Sequence, residues 1–380
     1  MNAPSAAPAH PVHHRDPSAL APEYVRRITR YLPGKPIGEL AREFGLDERD
    51  IVKLASNENP RGPGPAVRAA IAAAAGELSR YPDGNGFALK AALAARFGVD
   101  AEQIVLGNGS NDILELATQA FLQPGDHAVY SRHAFAVYPL ATQARGGVGI
   151  EVAAKDFGHD LPAMRKAITE RTRIVFVANP NNPTGTWLPP AALEGFIAAV
   201  PADTLVVLDE AYNEYLPPER QARSTAWIAA HPNLIVSRTF SKAYGLAALR
   251  MGYGIMHPKV ADMLNRVRQP FNVNALAQVA ALAALADTAY VEESRAINDA
   301  GMRELEAALK ALGLDYVPSH GNFLLIEVGD AGRVYQRLLE QGVIVRPVAN
   351  YGLPAHLRVT VGLPEENRRF LAALKVALGR

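Results

Sequence analysis

The stretch TLVVLDEAY, residues 204 to 212, combines two features that do not usually adjoin. Its LVVL run carries no polar alternation, which suits a strand covered on both faces better than one with a wet face. Asp209 follows at once. A carboxylate at the end of so apolar a strand is costly unless a positive group meets it. Two destinations are open: an ion pair with an arginine, or a bond to the protonated ring nitrogen of a bound molecule.

Similar runs flank this one on both sides. QIVLG (103 to 107), HAVYS (127 to 131), GIEVAA (149 to 154) and RIVFVANP (173 to 180) precede it, while NLIVSR (233 to 238) and MGYGIM (251 to 256) follow. Segments of helical period lie between them, the pattern of crossover connections. The expected fold is therefore α/β, a mostly parallel seven-stranded sheet covered by helices. Ligands collect at the carboxyl ends of the strands in such sheets, so functional residues are expected just after the apolar runs. A helical stretch from Asn274 to Leu312 leads to a tail of different texture. DYVPSHGNFLLIEV, a helix around Val334 to Gln341, GVIVRP, HLRVTVG and a last helix read as a smaller α+β domain. The expected division is a disordered leader (1–23), an arm joining the small domain (24–55), a large domain (56–285) and the small domain (286–380).

The composition is that of an ordinary globular protein: 380 residues, 49% apolar, 20% charged and a net charge of +1. So balanced a charge gives no reason to expect a nucleic-acid or membrane partner. There is no cysteine, hence no disulfide framework and no thiolate metal site, and a reducing compartment fits. No metal site is expected: His10, His13 and His14 fall in the Pro/Ala-rich leader, which does not read as a secretory signal. ALAQVAALAALAD (275 to 287) is short for a membrane span and reads as a core helix.

Three further stretches carry the chemistry. GNGSND (107 to 112) joins a strand to a helix, where glycines admit close approach and the helix amino terminus offers N–H groups to an anion. It is not a dinucleotide fingerprint, because aspartate stands where the third glycine belongs, and PGKP (33 to 36) is not a P-loop. ANPNNPTGT (178 to 186) presents Asn182, an amide able to donate to a phenolate-like oxygen. TFSKAYGLAALR (239 to 250) sets Lys242 behind Thr239 and Ser241, with Arg250 eight residues on. Hydroxyls and a guanidinium make a phosphate receptor. A phosphate cradle, a lysine, a buried carboxylate and an asparagine at successive strand ends together describe what holds pyridoxal 5'-phosphate.

The ordered set GNGSND, NPNNPTG, DEAY and SKAYGLAALR resembles the fold-type I, aspartate-aminotransferase-like pyridoxal-phosphate enzymes over nearly the whole chain. Within them YLPGKP, VKLASNENPRGP, RYPDG, GVIVRP and YGLPAHLRVTVG resemble the histidinol-phosphate aminotransferase family. The resemblance implies that Lys242 is joined covalently to the cofactor. Asp209 would pair with the pyridine nitrogen, and Asn182 and Tyr212 with the ring hydroxyl oxygen. Thr239, Ser241, Arg250 and the Gly109, Ser110 and Asn111 backbone would hold the phosphate. Asn111 stands where relatives commonly carry an acidic residue. Phe135, in HAFAVYP, would stack on the ring, the alternative being plain core packing. Tyr81 would reach the phosphate of a neighbouring subunit, which implies a homodimer with shared sites.

Arg358 and Arg346 would bind substrate, with Tyr31 and Asn57 as further contacts. A guanidinium fork matches a phosphate or a carboxylate, so the same arginines can serve a phosphorylated amino donor and a keto acid. For Arg346 a surface ion pair is the other reading. The implied activity is transamination between histidinol phosphate and 2-oxoglutarate in histidine biosynthesis. An aromatic or broad-range aminotransferase, and a phosphothreonine decarboxylase on the same scaffold, remain open.

Overall fold

The structure, a computed structural model, describes residues 16–380. His10, His13 and His14 lie outside the described residues. Of the expected leader, Asp16 caps a single exposed 3-10 turn over Pro17–Leu20, and the short helix Glu23–Arg26 follows.

In chain order the strands are β1 (Val52–Lys53), β2 (Ile104–Asn108), β3 (His127–Ser131), β4 (Val148–Val152), β5 (Thr172–Ala178), β6 (Leu205–Asp209) and β7 (Leu234–Thr239). They continue with β8 (Met251–Met256), β9 (Tyr316–Val317), β10 (Phe323–Glu327), β11 (Val343–Ile344), β12 (Arg346–Pro347) and β13 (His356–Thr360). Strands β2 to β8 form one seven-stranded sheet in the order β2-β8-β7-β6-β5-β3-β4. The expected α/β fold is borne out. The pairs joining β3 to β7 are all parallel, and β8 runs antiparallel to both β2 and β7.

Alternate residues of one strand enter opposite layers. On β5, Val175 and Val177 face one apolar cluster while Ile174 and Phe176 face the other. Each fully buried Val, Ile or Phe contributes roughly 1.5–3 kcal/mol, so the middles of these strands strongly disfavour charge. The register then aligns the polar strand ends. Ala178 is opposite Asp209, Asp209 opposite Ser237, and Thr239 opposite Gly252. Because β8 is reversed, its beginning lies at the edge where β5, β6 and β7 end. That reversal brings Arg250 beside residues that precede it by up to 142 places, such as Asn108, whose register partner is Met251.

The tail forms a four-stranded antiparallel sheet in the order β12-β13-β10-β9. The early segment packs with it: β1 pairs in parallel with β11, and Leu40, Ile51 and Ala55 share an apolar cluster with Leu339 and Ile344. The helical stretch after Asn274 is two helices, Ala275–Ala286 and Thr288–Ala311, bent by 79° where Asp287 caps the second. Ala277, Ala280, Ala281 and Ala284 are buried, as expected of a core helix. Among the described residues no single helix is long and apolar enough to cross a membrane.

Candidate active site

A cavity of about 180 Å³ opens where the carboxyl ends of β5, β6 and β7 meet the four-stranded sheet. Among the described residues Lys242, Arg250, Arg346 and Arg358 border it against a single carboxylate, Asp209. That imbalance suits a ligand with more than one negative charge.

At one end is the anion cradle. Gly109 ends the turn after β2 with φ +83°, and the helix Ser110–Phe121 begins there. A side chain at Gly109 would place its Cβ 2.5 Å from Arg250 Nη2, so the guanidinium lies against bare backbone. Arg250, itself at φ +57°, donates weakly to Ser241 Oγ at 3.4 Å, and Thr239 Oγ1 accepts from the Ser241 N–H at 3.1 Å. Ser110, Asn111, Thr239, Ser241 and Arg250 all border the cavity. Asp112 is absorbed locally, accepting from the Asn108 N–H and from Asn272 Nδ2.

At the other end Asp209 is 5% exposed and, among the described residues, bonded to no cation. Tyr138 donates its hydroxyl hydrogen to Oδ2 at 2.9 Å, and the Ala211 N–H donates to Oδ1 at 3.2 Å. Burial pushes its pKa up to about 6, partly offset by those two donors. The arginine pairing considered for Asp209 is taken by its neighbour: Arg238 bonds buried Glu210 at 2.7 Å and reaches Glu214 at 3.6 Å. A buried carboxylate with donors but no counter-charge is suited to a protonated ring nitrogen.

Lys242 lies between these ends, its Nζ donating to the Ser56 carbonyl at 2.9 Å. Burial first, then the nearby Arg358, brings its pKa down to about 7. Tyr212, buried, accepts from Asn57 Nδ2 at 2.8 Å and packs edge-on against Phe323; burial raises its pKa to about 12. Arg358 Nη1 donates to Asn182 Oδ1 at 2.6 Å, which leaves the Asn182 amide nitrogen as a donor. Its Nη2 donates to the Ala55 carbonyl at 2.6 Å, and its buried Nε has no partner among the described residues.

Arg346 is buried, with Nη2 on the Leu32 carbonyl at 2.7 Å and its guanidinium 5.4 Å from the Tyr31 ring centre. It is therefore no surface ion pair. Tyr31, half exposed, and Phe135 also border the cavity. Asn57 borders it too, but its side chain is committed to Tyr212 and Thr360. Tyr81 does not: it is 82% exposed, stacked on Phe271 with ring centres 4.7 Å apart.

Sequence reasoning overlooked Tyr138 and Thr360. Tyr138 stands three residues after Phe135 in the same HAFAVYP stretch, about one helical turn on, and Thr360 two residues after Arg358 on one strand face. Both spacings are visible signals. The donor set fits pyridoxal phosphate throughout: hydroxyls, guanidinium and a helix start for the phosphate, Asp209 for the ring nitrogen, amide and phenol for the ring oxygen, and an amine between them.

Residues 49–374 match the family described as aminotransferase class I and II. The chain is 60% identical over 363 residues to histidinol-phosphate aminotransferase 2 of Pseudomonas fluorescens, covering 95% of this chain and 98% of that one. It is equally similar, at 60% over 363 residues, to histidinol-phosphate aminotransferase 1 of Cupriavidus pinatubonensis, covering 94% and 96%. The crystal structure of histidinol-phosphate aminotransferase from Sinorhizobium meliloti in complex with pyridoxal-5'-phosphate superposes with a TM-score of 0.87 at 30% identity. That likeness covers 94% of this chain and 97% of that one. A mutant of Thermus thermophilus aspartate aminotransferase gives 0.82 at 27% identity, covering 94% and 99%.

Proposed function

The chain belongs to the class I and II aminotransferase family, and we propose from this and from its pocket that it transfers an amino group from histidinol phosphate to 2-oxoglutarate. The products are imidazole-acetol phosphate and L-glutamate, a step of histidine biosynthesis carried out in the cytoplasm. The observation that carries the substrate reading is the pair Arg346 and Arg358. They are register partners on β12 and β13, both buried and both bordering the cavity. Two guanidinium forks side by side suit a phosphate on one substrate and carboxylates on the other. Tyr31 and Asn57 border the same space.

Bound pyridoxal phosphate supplies the electron sink that accepts the electron pair left when the substrate's C–H bond breaks. The residues of the chain do the rest. Thr239, Ser241, Arg250 and the Gly109–Asn111 turn hold the phosphate. Asp209 would keep the ring nitrogen protonated, Asn182 and Tyr212 would donate to the ring oxygen, and Phe135 would cover the ring. Lys242 would carry the cofactor, and its free amine would act as the base and acid that moves the proton. In the cofactor-free pocket burial and Arg358 bring the Nζ pKa down to about 7, so the site already favours a neutral amine over an ordinary lysine ammonium.

The unit acts as a homodimer whose sites are shared, with Tyr81 reaching the partner's phosphate cradle. The exposed stack of Tyr81 on Phe271 supports this reading, since large aromatics in contact with water mark association surfaces. The division into an arm (24–55), a large domain (56–285) and a small domain (286–380) belongs to the same proposal.

The test is a half-reaction screen. Protein loaded with pyridoxal phosphate is mixed separately with histidinol phosphate, glutamate, phenylalanine and phosphothreonine, and the absorbance of the lysine-bound cofactor is followed. Fast loss with the first two alone is expected. Fast loss with phenylalanine and none with histidinol phosphate would overturn the substrate assignment.

A further inference from the structure

A chain of hydrogen bonds runs from the four-stranded sheet to the hydroxyl of Tyr212. The Asn57 backbone N–H donates to Thr360 Oγ1 at 2.9 Å, and the Thr360 hydroxyl donates in turn to Asn57 Oδ1 at 3.2 Å. With its oxygen engaged there, the Asn57 amide directs Nδ2 to the Tyr212 oxygen at 2.8 Å. A phenol that accepts a bond from inside the protein still has its own hydrogen to give. Among the described residues no hydrogen bond takes that hydrogen, and Tyr212 borders the cavity. Asn57, Thr360 and Tyr212 are 1%, 3% and 4% exposed, so water does not compete along the chain. Asn57 is held at φ +55°, a left-handed conformation asparagine adopts more readily than most side chains, and Asn322 Nδ2 fixes its carbonyl at 3.1 Å.

We infer that Asn57 and Thr360 are positioning residues that turn the Tyr212 hydroxyl hydrogen towards the cofactor's ring oxygen, making Tyr212 a donor there and not an acceptor. This rests on the pyridoxal-phosphate reading of the pocket. It also gives strand β13 a double task. Arg358, two residues before Thr360 on the same face, engages Asn182 Oδ1 and leaves that amide's nitrogen to donate. One strand therefore orients both groups that flank the ring oxygen.

A donor aimed at an anionic oxygen stabilises the anion and loosens the proton on the neighbouring cationic nitrogen that joins cofactor to lysine. Losing the orientation should raise the pH at which that nitrogen titrates, which the absorbance of the bound cofactor reads directly. In protein loaded with pyridoxal phosphate, Thr360→Val and Asn57→Gly are expected to raise the absorbance midpoint by about one pH unit. Glycine fits the left-handed backbone, and Thr360→Ser should restore the wild-type midpoint. In a Tyr212→Phe background neither substitution should shift the midpoint further. If Asn57→Gly does not fold, the Thr360→Val and Thr360→Ser pair still decides. An unmoved midpoint in loaded Thr360→Val, or a full shift persisting without the Tyr212 hydroxyl, overturns the inference. Wild-type protein that takes up no pyridoxal phosphate overturns the proposed function and the inference with it.

Discussion

The hydroxyl of Tyr138 donates to Asp209 Oδ2 at 2.9 Å while its ring lies flat on Phe176, ring centres 4.7 Å apart and planes 6° from parallel. A fully buried phenol is thus locked by packing on its ring and by the carboxylate at its tip. Among the described residues Asp209 has no cation bonded to it, so this donor is one of two that keep its charge tolerable inside the protein.

Tyr138→Phe retains the stacked ring and removes only that bond. In cofactor-free protein the Asp209 pKa should move above about 6. Turnover at pH 7 should fall about tenfold, in line with about 1.5 kcal/mol for a hydrogen bond to a charged group. The pH dependence of pyridoxal-phosphate binding to the two cofactor-free proteins reads the effect as an acidic limb displaced upward in the variant. Unfolding midpoints should change little.

Arg358→Lys tests the carboxylate assignment. Lysine supplies a point charge without the fork, and the bonds to Asn182 Oδ1 and the Ala55 carbonyl cannot both be kept. The kcat/KM for glutamate should fall about 100-fold, the scale for truncating a buried charge-assisted contact. Initial rates at varied glutamate check it, and an unchanged value would place the carboxylate elsewhere.

In protein stripped of cofactor, Lys242 has a folded-state pKa near 7, depressed from the ordinary lysine value of about 10.4. Between those values the unfolded chain binds more protons than the folded one. Stability therefore rises with pH across this window: the cost of the buried ammonium is complete below pH 7 and gone above about 10.4. Lys242→Met should accordingly be more stable than wild type at pH 6.5, with the difference vanishing near pH 10.5. Urea unfolding of the two cofactor-free proteins at both pH values checks the sign.

Gly109→Ala places a methyl 2.5 Å from Arg250 Nη2 at a residue with φ +83°. Backbone strain of about 1–3 kcal/mol is expected, together with displacement of the guanidinium from the cradle. Affinity for pyridoxal phosphate should fall at least tenfold, measured by fluorescence titration of the cofactor-free protein. An alanine variant that binds as tightly as wild type would remove Gly109 and Arg250 from the phosphate site.

The sheet was legible because its inner strands are buried on both faces, which leaves runs such as LVVL and IVFVA, whereas the edge strand β4 is mostly exposed. The cradle was legible too, since glycine at a turn and hydroxyls before Lys242 are local features. What the sequence does not display is which buried polar groups find each other. Asp209 and Glu210 are adjacent carboxylates on one strand end, yet Arg238 serves only the second. Side-chain alternation sends them to opposite faces. Asn57 reads equally well as a pocket contact or as a link to Tyr212, because its partner Thr360 is 303 residues away. The reversal of β8 is likewise silent in an apolar run that suits either direction, although it is what delivers Arg250 to the cradle.

The most direct measurement is reductive trapping. Protein loaded with pyridoxal phosphate is treated with borohydride, digested, and the modified peptide identified by mass spectrometry. The pocket predicts a single reduced pyridoxyl phosphate on Lys242, abolished by prior release of the cofactor. Modification confined to another lysine such as Lys53, or none at all, would contradict the assignment of this cavity as the catalytic site.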